Sequence, residues 1–145
     1  MGALTKIKIQ DRIALDTNIF IASFDPDHPF YHSSTVLLGQ IKSTSPSVYI
    51  SVMVIAEYLV KIYAQKLERN LSQYEDYLTI GGLATIVDVN RQICRRAAYL
   101  RSIYVSLRNP DAIHLASAIE SKCKYFVTCD HRIPRQIDKL VVTSP

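Results

Sequence analysis

Short apolar segments alternate along this chain with longer segments that have the apolar spacing of amphipathic helices. The short segments are nearly continuously apolar, which is typical of strands that are buried on both faces. Strands of this kind, separated by helices, form parallel sheets with helices packed on either side. The sequence therefore predicts an α/β fold with a central parallel sheet of about five short strands. These strands are expected at residues 12–16, 47–51, 85–89, 125–128 and 140–142.

The segments between the strands carry helix start and stop signals. Helices are expected over residues 30–42 and 52–66. Ser72 is predicted to be the N-cap of another helix, with Glu75 in the capping-box position. The pair Gly81-Gly82 is predicted to end that helix, because glycine readily adopts the left-handed conformation that follows a helix.

Two further helices are predicted in the second half of the chain. Asn90 is expected to cap a helix that runs to about residue 105. Asn109 and Pro110 are predicted to be the N-cap and first residue of the next helix, which is a favoured position for proline.

Composition is that of one packed domain. The chain has 145 residues, of which 48% are hydrophobic and 21% charged, and this excludes a disordered protein. We expect a single domain over residues 1–145 with its core at about 12–142. The net charge of +4 is compatible with a polyanionic partner without requiring one. The three cysteines form no Cys-x-x-Cys pattern, which favours reduced thiols in the cytoplasm.

No targeting or membrane segment is recognisable in the sequence. Residues 1–6 lack the apolar core of a signal peptide. The longest apolar run is interrupted by Glu57 and is too short to cross a bilayer. A soluble, cytoplasmic protein without membrane contact is expected.

Four acidic residues stand where an acid is unexpected. Asp16 and Asp130 each end an apolar strand, Glu57 interrupts an apolar helix, and Asp111 opens a helix rich in small residues. Carboxylates are rarely buried unless they are paired, hydrogen-bonded or bound to a metal. Ligands of open α/β sheets bind at the carboxyl ends of the strands. We therefore expect these four acids to converge on one cation at that edge.

Each acid also has an ordinary structural explanation. These are a helix N-cap for Asp16, a favourable helix dipole for Asp111, the head of a turn for Asp130 and an ion pair with Lys61 for Glu57. Because four separate explanations would have to coincide at one edge of the sheet, a shared site is favoured.

The type of ligand predicts the metal. A set of carboxylates without clustered Cys or His suits a hard cation such as Mg²⁺ or Mn²⁺. The histidines are scattered singly, which argues against zinc, and His114 is interpreted as a polar helix residue rather than a ligand. A carboxylate-held cation of this kind can activate water and stabilise the leaving oxyanion in phosphodiester hydrolysis.

Basic residues provide candidate contacts with a phosphate backbone. Arg108 directly precedes the predicted helix start that carries Asp111 and is expected to contact substrate. The other four candidates have a solvated helix face as an equally good explanation. They are Arg91, Arg95, Arg96 and Arg101.

Taken together, these motifs resemble those of PIN-domain nucleases, and specifically the VapC-type toxins of toxin–antitoxin pairs. The resemblance extends over about residues 13–142. In chain order the four motifs are Leu15-Asp16-Thr17-Asn18, Ser51 with Ile55-Ala56-Glu57, Asp111-Ala112-Ile113-His114-Leu115-Ala116, and Thr128-Cys129-Asp130 with Ile133.

The resemblance implies a PIN fold, Mg²⁺- or Mn²⁺-dependent endoribonuclease activity, a homodimer and an inhibitory antitoxin partner. It assigns the catalytic, metal-binding role to Asp16, Glu57, Asp111 and Asp130, with Thr17, Asn18 and Thr128 as supports. An RNA-processing nuclease without a toxin role is equally compatible with these residues. A non-catalytic PIN module with a binding or regulatory role is the alternative from another class.

Overall fold

The computed structural model describes residues 7–145. Residues 1–6, on which the expectation about a signal peptide rests in part, lie outside this range. None of the helices within residues 7–145 has both the length and the apolar character needed to cross a membrane.

Six strands and six helices build the described part of the chain. The strands are β1 (Arg12–Leu15), β2 (Ser47–Ser51), β3 (Ala84–Val87), β4 (Tyr125–Val127), β5 (Gln136–Ile137) and β6 (Leu140–Thr143). The helices are α1 (Thr17–Phe24), α2 (Tyr31–Thr44), α3 (Met53–Ala64), α4 (Leu71–Leu78), α5 (Arg91–Ile103) and α6 (Asn109–Glu120). A short 3₁₀ turn at Glu68–Asn70 precedes α4.

The strands form one mixed sheet in the order β3-β2-β1-β4-β6-β5. The four pairings from β3 to β6 are parallel, and β5 runs antiparallel to β6. The predicted α/β fold and its five strands are therefore confirmed, with boundaries shifted by one or two residues. The additional strand β5 was not predicted, because a strand of two residues is too short to show a hydrophobic period.

Side-chain alternation along the strands divides the core into two layers. Ile13 and Leu15 of β1 face one layer, whereas Ala14 between them faces the other. The first layer contains buried residues of α1, α2, α3 and α4, and the second contains those of α5 and α6. Helices thus cover both faces of the sheet, so a ligand can reach its central strands only at their ends.

All five predicted helices are present, but two of the start signals were placed wrongly. Asn90 does cap α5, since its side chain accepts a hydrogen bond from the Ile93 amide at 3.0 Å. Ser72 is not an N-cap, because α4 begins at Leu71 and Asn70 precedes it without a side-chain capping bond. Helix α6 begins at Asn109 with Arg108 in the N-cap position, one residue earlier than predicted.

Helix α1 was considered only as an alternative explanation for Asp16. It begins immediately after that residue, as the alternative required. The Asp16 side chain, however, makes no capping hydrogen bond. The predicted stop signal of α4 was placed one residue too late, because the left-handed residue that ends this helix is Ile80, with a φ angle of 54°. Gly81 and Gly82 follow it in the same turn with φ angles of 64° and 87°.

Candidate active site at the carboxyl edge of the sheet

Asp16 lies at the centre of the carboxyl edge, between the ends of β1 and β4. Its amide donates to the Val127 carbonyl at 3.0 Å, which continues the pairing of the two strands by one residue. The side chain is buried, at 6% exposed. Its Oδ2 accepts hydrogen bonds from Thr128 Oγ1 at 2.7 Å and from Asn18 Nδ2 at 2.8 Å. Within residues 7–145, no hydrogen bond to Oδ1 is found, so this oxygen is available to a ligand.

Asn18 and Thr128 join the two strand ends into one rigid corner. Asn18 Nδ2 also donates to Thr128 Oγ1 at 2.9 Å, and Asn18 Oδ1 accepts from the Cys129 amide at 2.9 Å. Thr128 Oγ1 further accepts from the Asp130 amide at 3.0 Å. The two residues that the sequence suggested as supports therefore both contact Asp16 and fix its carboxylate.

Glu57 reaches the same edge from the second turn of α3. Its Oε2 accepts a hydrogen bond from the Thr17 hydroxyl and lies 2.7 Å from His114 Nε2. The alternative explanation for Glu57, an ion pair with Lys61, is wrong for this structure, because the salt bridge of Glu57 is with His114. Thr17, the third predicted support, thus contacts Glu57 rather than Asp16.

His114 is the functional candidate that the sequence interpretation missed. It is 3% exposed, and its Nδ1 has no hydrogen-bond partner among the described residues. Because the Glu57 carboxylate can only accept, His114 Nε2 carries the proton of their hydrogen bond. His114 lies three residues after Asp111 on α6 and therefore on the same helical face. That spacing was the available signal. The expectation that His114 is a polar helix residue rather than a ligand stays a prediction, but its burial and its contact with Glu57 were not predicted.

Burial and neighbouring charges shift the pKa values of these three groups in different directions. Burial raises the pKa of Asp16, and the Asp111 and Glu57 charges add to the rise, while His114 and Thr128 oppose it. Burial alone would raise the pKa of Glu57. The hydrogen bonds from His114 and Thr17 outweigh burial, so the pKa of Glu57 is lowered. For His114, burial is outweighed by the Glu57 hydrogen bond and the nearby carboxylates, and its pKa is raised.

Asp111 occupies the first turn of α6 and pairs with Arg108. Arg108 Nε donates to Asp111 Oδ2 at 3.1 Å, and the Arg108 side chain is 65% exposed. Arg101 of α5 holds the preceding loop in place, since it donates to the Leu107 carbonyl at 3.1 Å and to Asn109 Oδ1 at 2.6 Å. The predicted substrate-contact residue, Arg108, therefore lies at the edge with its guanidinium accessible.

Asp130 follows the same strand end as Thr128 but is held by a different partner. Arg132 Nε donates to its Oδ1 at 2.9 Å, and the terminal Arg132 nitrogen donates to Oδ2 at 2.7 Å. The Arg132 amide also donates to Oδ1 at 2.9 Å, which is the turn that the alternative explanation required. These contacts lower the pKa of Asp130.

Electrostatic coupling separates the acids into a central group and an outlier. The Asp16 carboxyl is influenced by Asp111 and Glu57, whereas Asp130 is influenced by Arg132 and Arg108. In the described part of the chain, no three His, Cys, Asp or Glu side chains are already arranged to hold a metal ion. Glu57 is turned toward His114, Asp111 is paired with Arg108, and Asp130 is paired with Arg132. The donor chemistry is nevertheless that of a hard cation, because the central group supplies carboxylate oxygens.

The family comparison identifies a match over most of the chain. A family model described as PIN domain matches residues 13–139. No curated protein matches the chain in sequence.

Solved structures with the same fold come from toxin–antitoxin systems. VapBC2 from Rickettsia felis, bound to a DNA fragment from its promoter, aligns with a TM-score of 0.67 at 22% identity, over 92% of this chain and 98% of that chain. VapBC-1 from nontypeable Haemophilus influenzae aligns with a TM-score of 0.69 at 16% identity, over 92% of this chain and 97% of that chain. VapC20 from Mycobacterium tuberculosis is described as a sarcin–ricin loop cleaving toxin. It aligns with a TM-score of 0.63 at 14% identity, over 82% of this chain and 90% of that chain. At these identities the likeness establishes the fold.

Proposed function

This chain belongs to the PIN domain family, and on that premise we propose that it is a metal-dependent endoribonuclease acting as the toxin of a toxin–antitoxin pair. The observation that carries the proposal is the convergence of Asp16, Glu57 and Asp111 at the carboxyl edge of the sheet, where their charges influence one another. Neutral side chains at the same three positions would avoid the repulsion between the carboxylates. A cluster of like charges is retained where a cation balances it.

The residues that would hold Mg²⁺ or Mn²⁺ are Asp16, Glu57 and Asp111, with Asp130 as an outer fourth acid. Bound there, the cation would supply Lewis acidity to a phosphodiester and lower the pKa of a water molecule. Glu57 and Asp111 would have to turn away from His114 and Arg108, with which they are paired in this structure.

The remaining side chains have positioning and binding roles in this proposal. Asn18 and Thr128 fix the Asp16 carboxylate between the two strands, and Thr17 and His114 hold Glu57 as long as no cation is bound. Arg108, once released from Asp111, would bind a phosphate of the substrate, because its guanidinium is exposed next to the acids. The net charge of +4 favours approach of a polyanion.

RNA as substrate and an antitoxin as partner are supported by the proteins that share this fold. One of them is described as cleaving the sarcin–ricin loop, and two are VapBC assemblies. We accordingly propose that residues 1–145 form a single nuclease domain that acts in the cytoplasm, forms a homodimer and is inhibited by a cognate antitoxin. An RNA-processing nuclease without a toxin role would use the same residues.

Cleavage of RNA by acid-to-amide variants tests the proposal. Asp16→Asn, Glu57→Gln and Asp111→Asn should each reduce the cleavage rate by at least about 100-fold, the scale seen when transition-state charge stabilisation is lost. Asp130→Asn should have a smaller effect, because Arg132 already neutralises that carboxylate. The matched control is Asp76→Asn, since Asp76 is exposed on α4 away from this edge. Circular dichroism establishes that every variant is folded.

The product ends distinguish the proposed chemistry from that of metal-independent ribonucleases. In-line attack by water leaves 5′-phosphate and 3′-hydroxyl ends and tolerates a 2′-deoxy nucleotide at the cleavage site. Detection of 2′,3′-cyclic phosphate ends, or full activity of folded Asp111→Asn, would contradict the proposal. Absence of cleavage by the unmutated protein with Mn²⁺ would instead favour a non-catalytic PIN module.

A further inference from the structure

Two ring side chains, Phe30 and His131, meet beside the acidic edge and have no role in the site described so far. Their ring centroids are 5.5 Å apart, with an interplanar angle of 51°. His28 adds a third ring, whose centroid lies 6.1 Å from that of Phe30. The His28 ring is fixed in turn, because its Nδ1 accepts a hydrogen bond from the Phe30 amide at 3.1 Å.

The chain path places these rings directly next to the proposed catalytic group. His131 follows Asp130, whose amide donates to the same Thr128 hydroxyl that donates to Asp16. Phe30 immediately precedes α2. The first turn of α2 is anchored to the end of β4, where Ser34 Oγ lies 4.0 Å from Cys129 Sγ.

The rings are accessible and have one cationic neighbour. His131 is exposed and Phe30 is half-buried, so the contact does not enclose either ring in the core. Arg132, the next residue, has a side chain that is 73% exposed. The exposed His131 ring, supported by the tilted ring of Phe30 and followed by the guanidinium of Arg132, matches the two requirements of a nucleotide, which presents a base face and a phosphate.

We propose that Phe30 and His131 form a stacking platform for an unpaired base of the RNA, adjacent to the phosphodiester held at the acidic edge. This inference rests on the proposed function and adds that the substrate is single-stranded at this position. Bases inside a duplex are stacked on each other and cannot present a face to the platform. Arg132, once released from Asp130, would contact the phosphate of the same or the neighbouring nucleotide.

The chain offers a direct reporter for this contact, since it contains no tryptophan. In His131→Trp the single indole keeps an aromatic ring on the platform, and a stacked base should quench its fluorescence. The titration is made in EDTA, so that the RNA stays intact. The probes are a single-stranded oligoribonucleotide, the same sequence within a hairpin stem, and an abasic strand of equal length. The control is Ile9→Trp, because Ile9 is 66% exposed and precedes β1 at the opposite edge of the sheet.

We expect the single strand to quench the indole of His131→Trp strongly, the stem and the abasic strand to quench it little, and the Ile9→Trp protein to show no quenching. His131→Ala and Phe30→Leu should lower the affinity for the single strand roughly 5- to 100-fold, the effect of losing one stacked base. Equal quenching by the abasic strand, or unchanged affinity of His131→Ala, would overturn the platform. The exposed position of His131 keeps the test valid if Phe30→Leu does not fold.

The outcome is separable from that of the proposed function. If the unmutated protein cleaves RNA while the platform variants bind and cleave equally well, the platform fails and the nuclease stands. If the single strand binds and quenches but no cleavage occurs with Mn²⁺, the nuclease fails and the platform stands.

Discussion

Asp16 shows most clearly how this site departs from an ordinary protein interior. Its hydrogen bonds from Thr128 and Asn18 would stabilise a carboxylate, yet burial and two neighbouring acids raise its pKa. The ionised side chain therefore destabilises the metal-free fold at neutral pH. Such a cost is expected where a residue is selected for binding a cation rather than for stability.

Replacement of Asp16 by asparagine should raise the melting temperature of the metal-free protein at pH 7. The amide keeps the shape of the side chain and removes the charge, so the fold no longer carries the cost of an ionised buried acid. A gain of about 1 kcal/mol corresponds to a shift of roughly 2–8 °C for a domain of this size. Thermal unfolding in EDTA measures it.

The same measurement in excess Mn²⁺ supplies the control for Asp16→Asn. The unmutated protein should be stabilised by the cation, since ligand binding to the folded state adds to stability, and the variant should gain less. If Asp16→Asn is destabilised in EDTA and Mn²⁺ shifts neither protein, the acid is a structural residue.

Residue patterns predicted part of this site and missed the rest for identifiable reasons. Asp16, Glu57 and Asp111 could be grouped in advance, because an acid within or beside an apolar segment is costly unless it has a partner. The pairing of His114 with Glu57 could not be predicted from the sequence, because it joins α6 to α3 and depends on tertiary packing. The turn in which the Arg132 amide donates to Asp130 is local in sequence, and the residue pattern did indicate it.

At the scale of elements, the loop between α5 and α6 determines where Asp111 points. Arg101 is a positioning residue: it binds the Leu107 carbonyl and the Asn109 side chain on either side of Arg108. Helix α6 then starts at Asn109, so Asp111 falls in its first turn and His114 one turn later. The position of Asp111 therefore depends on an arginine that contacts none of the acids.

Arg101→Met should lower kcat/KM for RNA cleavage by about 10-fold, because a small displacement of a catalytic group is enough to slow the reaction. The control is Arg95→Met, since Arg95 is exposed on the same helix and its side chain makes no hydrogen bond to any described residue. A weaker Mn²⁺ affinity of Arg101→Met, measured without RNA, would locate the effect at Asp111. Equal kinetics of the two variants would rule out the positioning role.

The opposite ends of β1 and β4 carry a charge pair that is independent of the site. The Lys8 amide donates to Asp11 Oδ2 at 2.8 Å, and Lys124 Nζ donates to Oδ1 at 3.1 Å. The Lys8 hydrogen bond and the Lys124 charge hold the pKa of Asp11 below its usual 3.8, against a smaller effect of burial. This pair links the amino ends of two adjacent strands.

Because the pKa of Asp11 is lowered in the fold, its contribution to stability is present above pH 3.8 and is lost as the pH falls through the folded value. Asp11→Asn should therefore be less stable than the unmutated protein at pH 7, and the difference should shrink as the pH falls below 3.8. Urea unfolding across this range measures it. A difference that stays constant with pH would show that the Asp11 charge contributes nothing.

For the whole molecule, the sheet order explains why distant sequence segments share one site. Strands β1 and β4 are adjacent in the sheet although more than a hundred residues separate them in the chain, and their ends bring Asp16 and Thr128 together. The alternation of strands and helices was sufficient to predict a parallel sheet with helices on both faces, but not the order of its strands. It could not predict β5, whose two residues depend on pairing with β6.

The acids at the carboxyl edge are proposed to form a cation site. Direct Mn²⁺ binding tests it, because only the free aqueous ion gives a sharp electron paramagnetic resonance signal. Titration into the unmutated protein and Asp76→Asn should show the same saturable loss of free Mn²⁺. Asp111→Asn and Glu57→Gln, both folded, should leave most of the ion free. If the unmutated protein binds no Mn²⁺, or if all four proteins bind it equally, the acidic edge is not a metal centre.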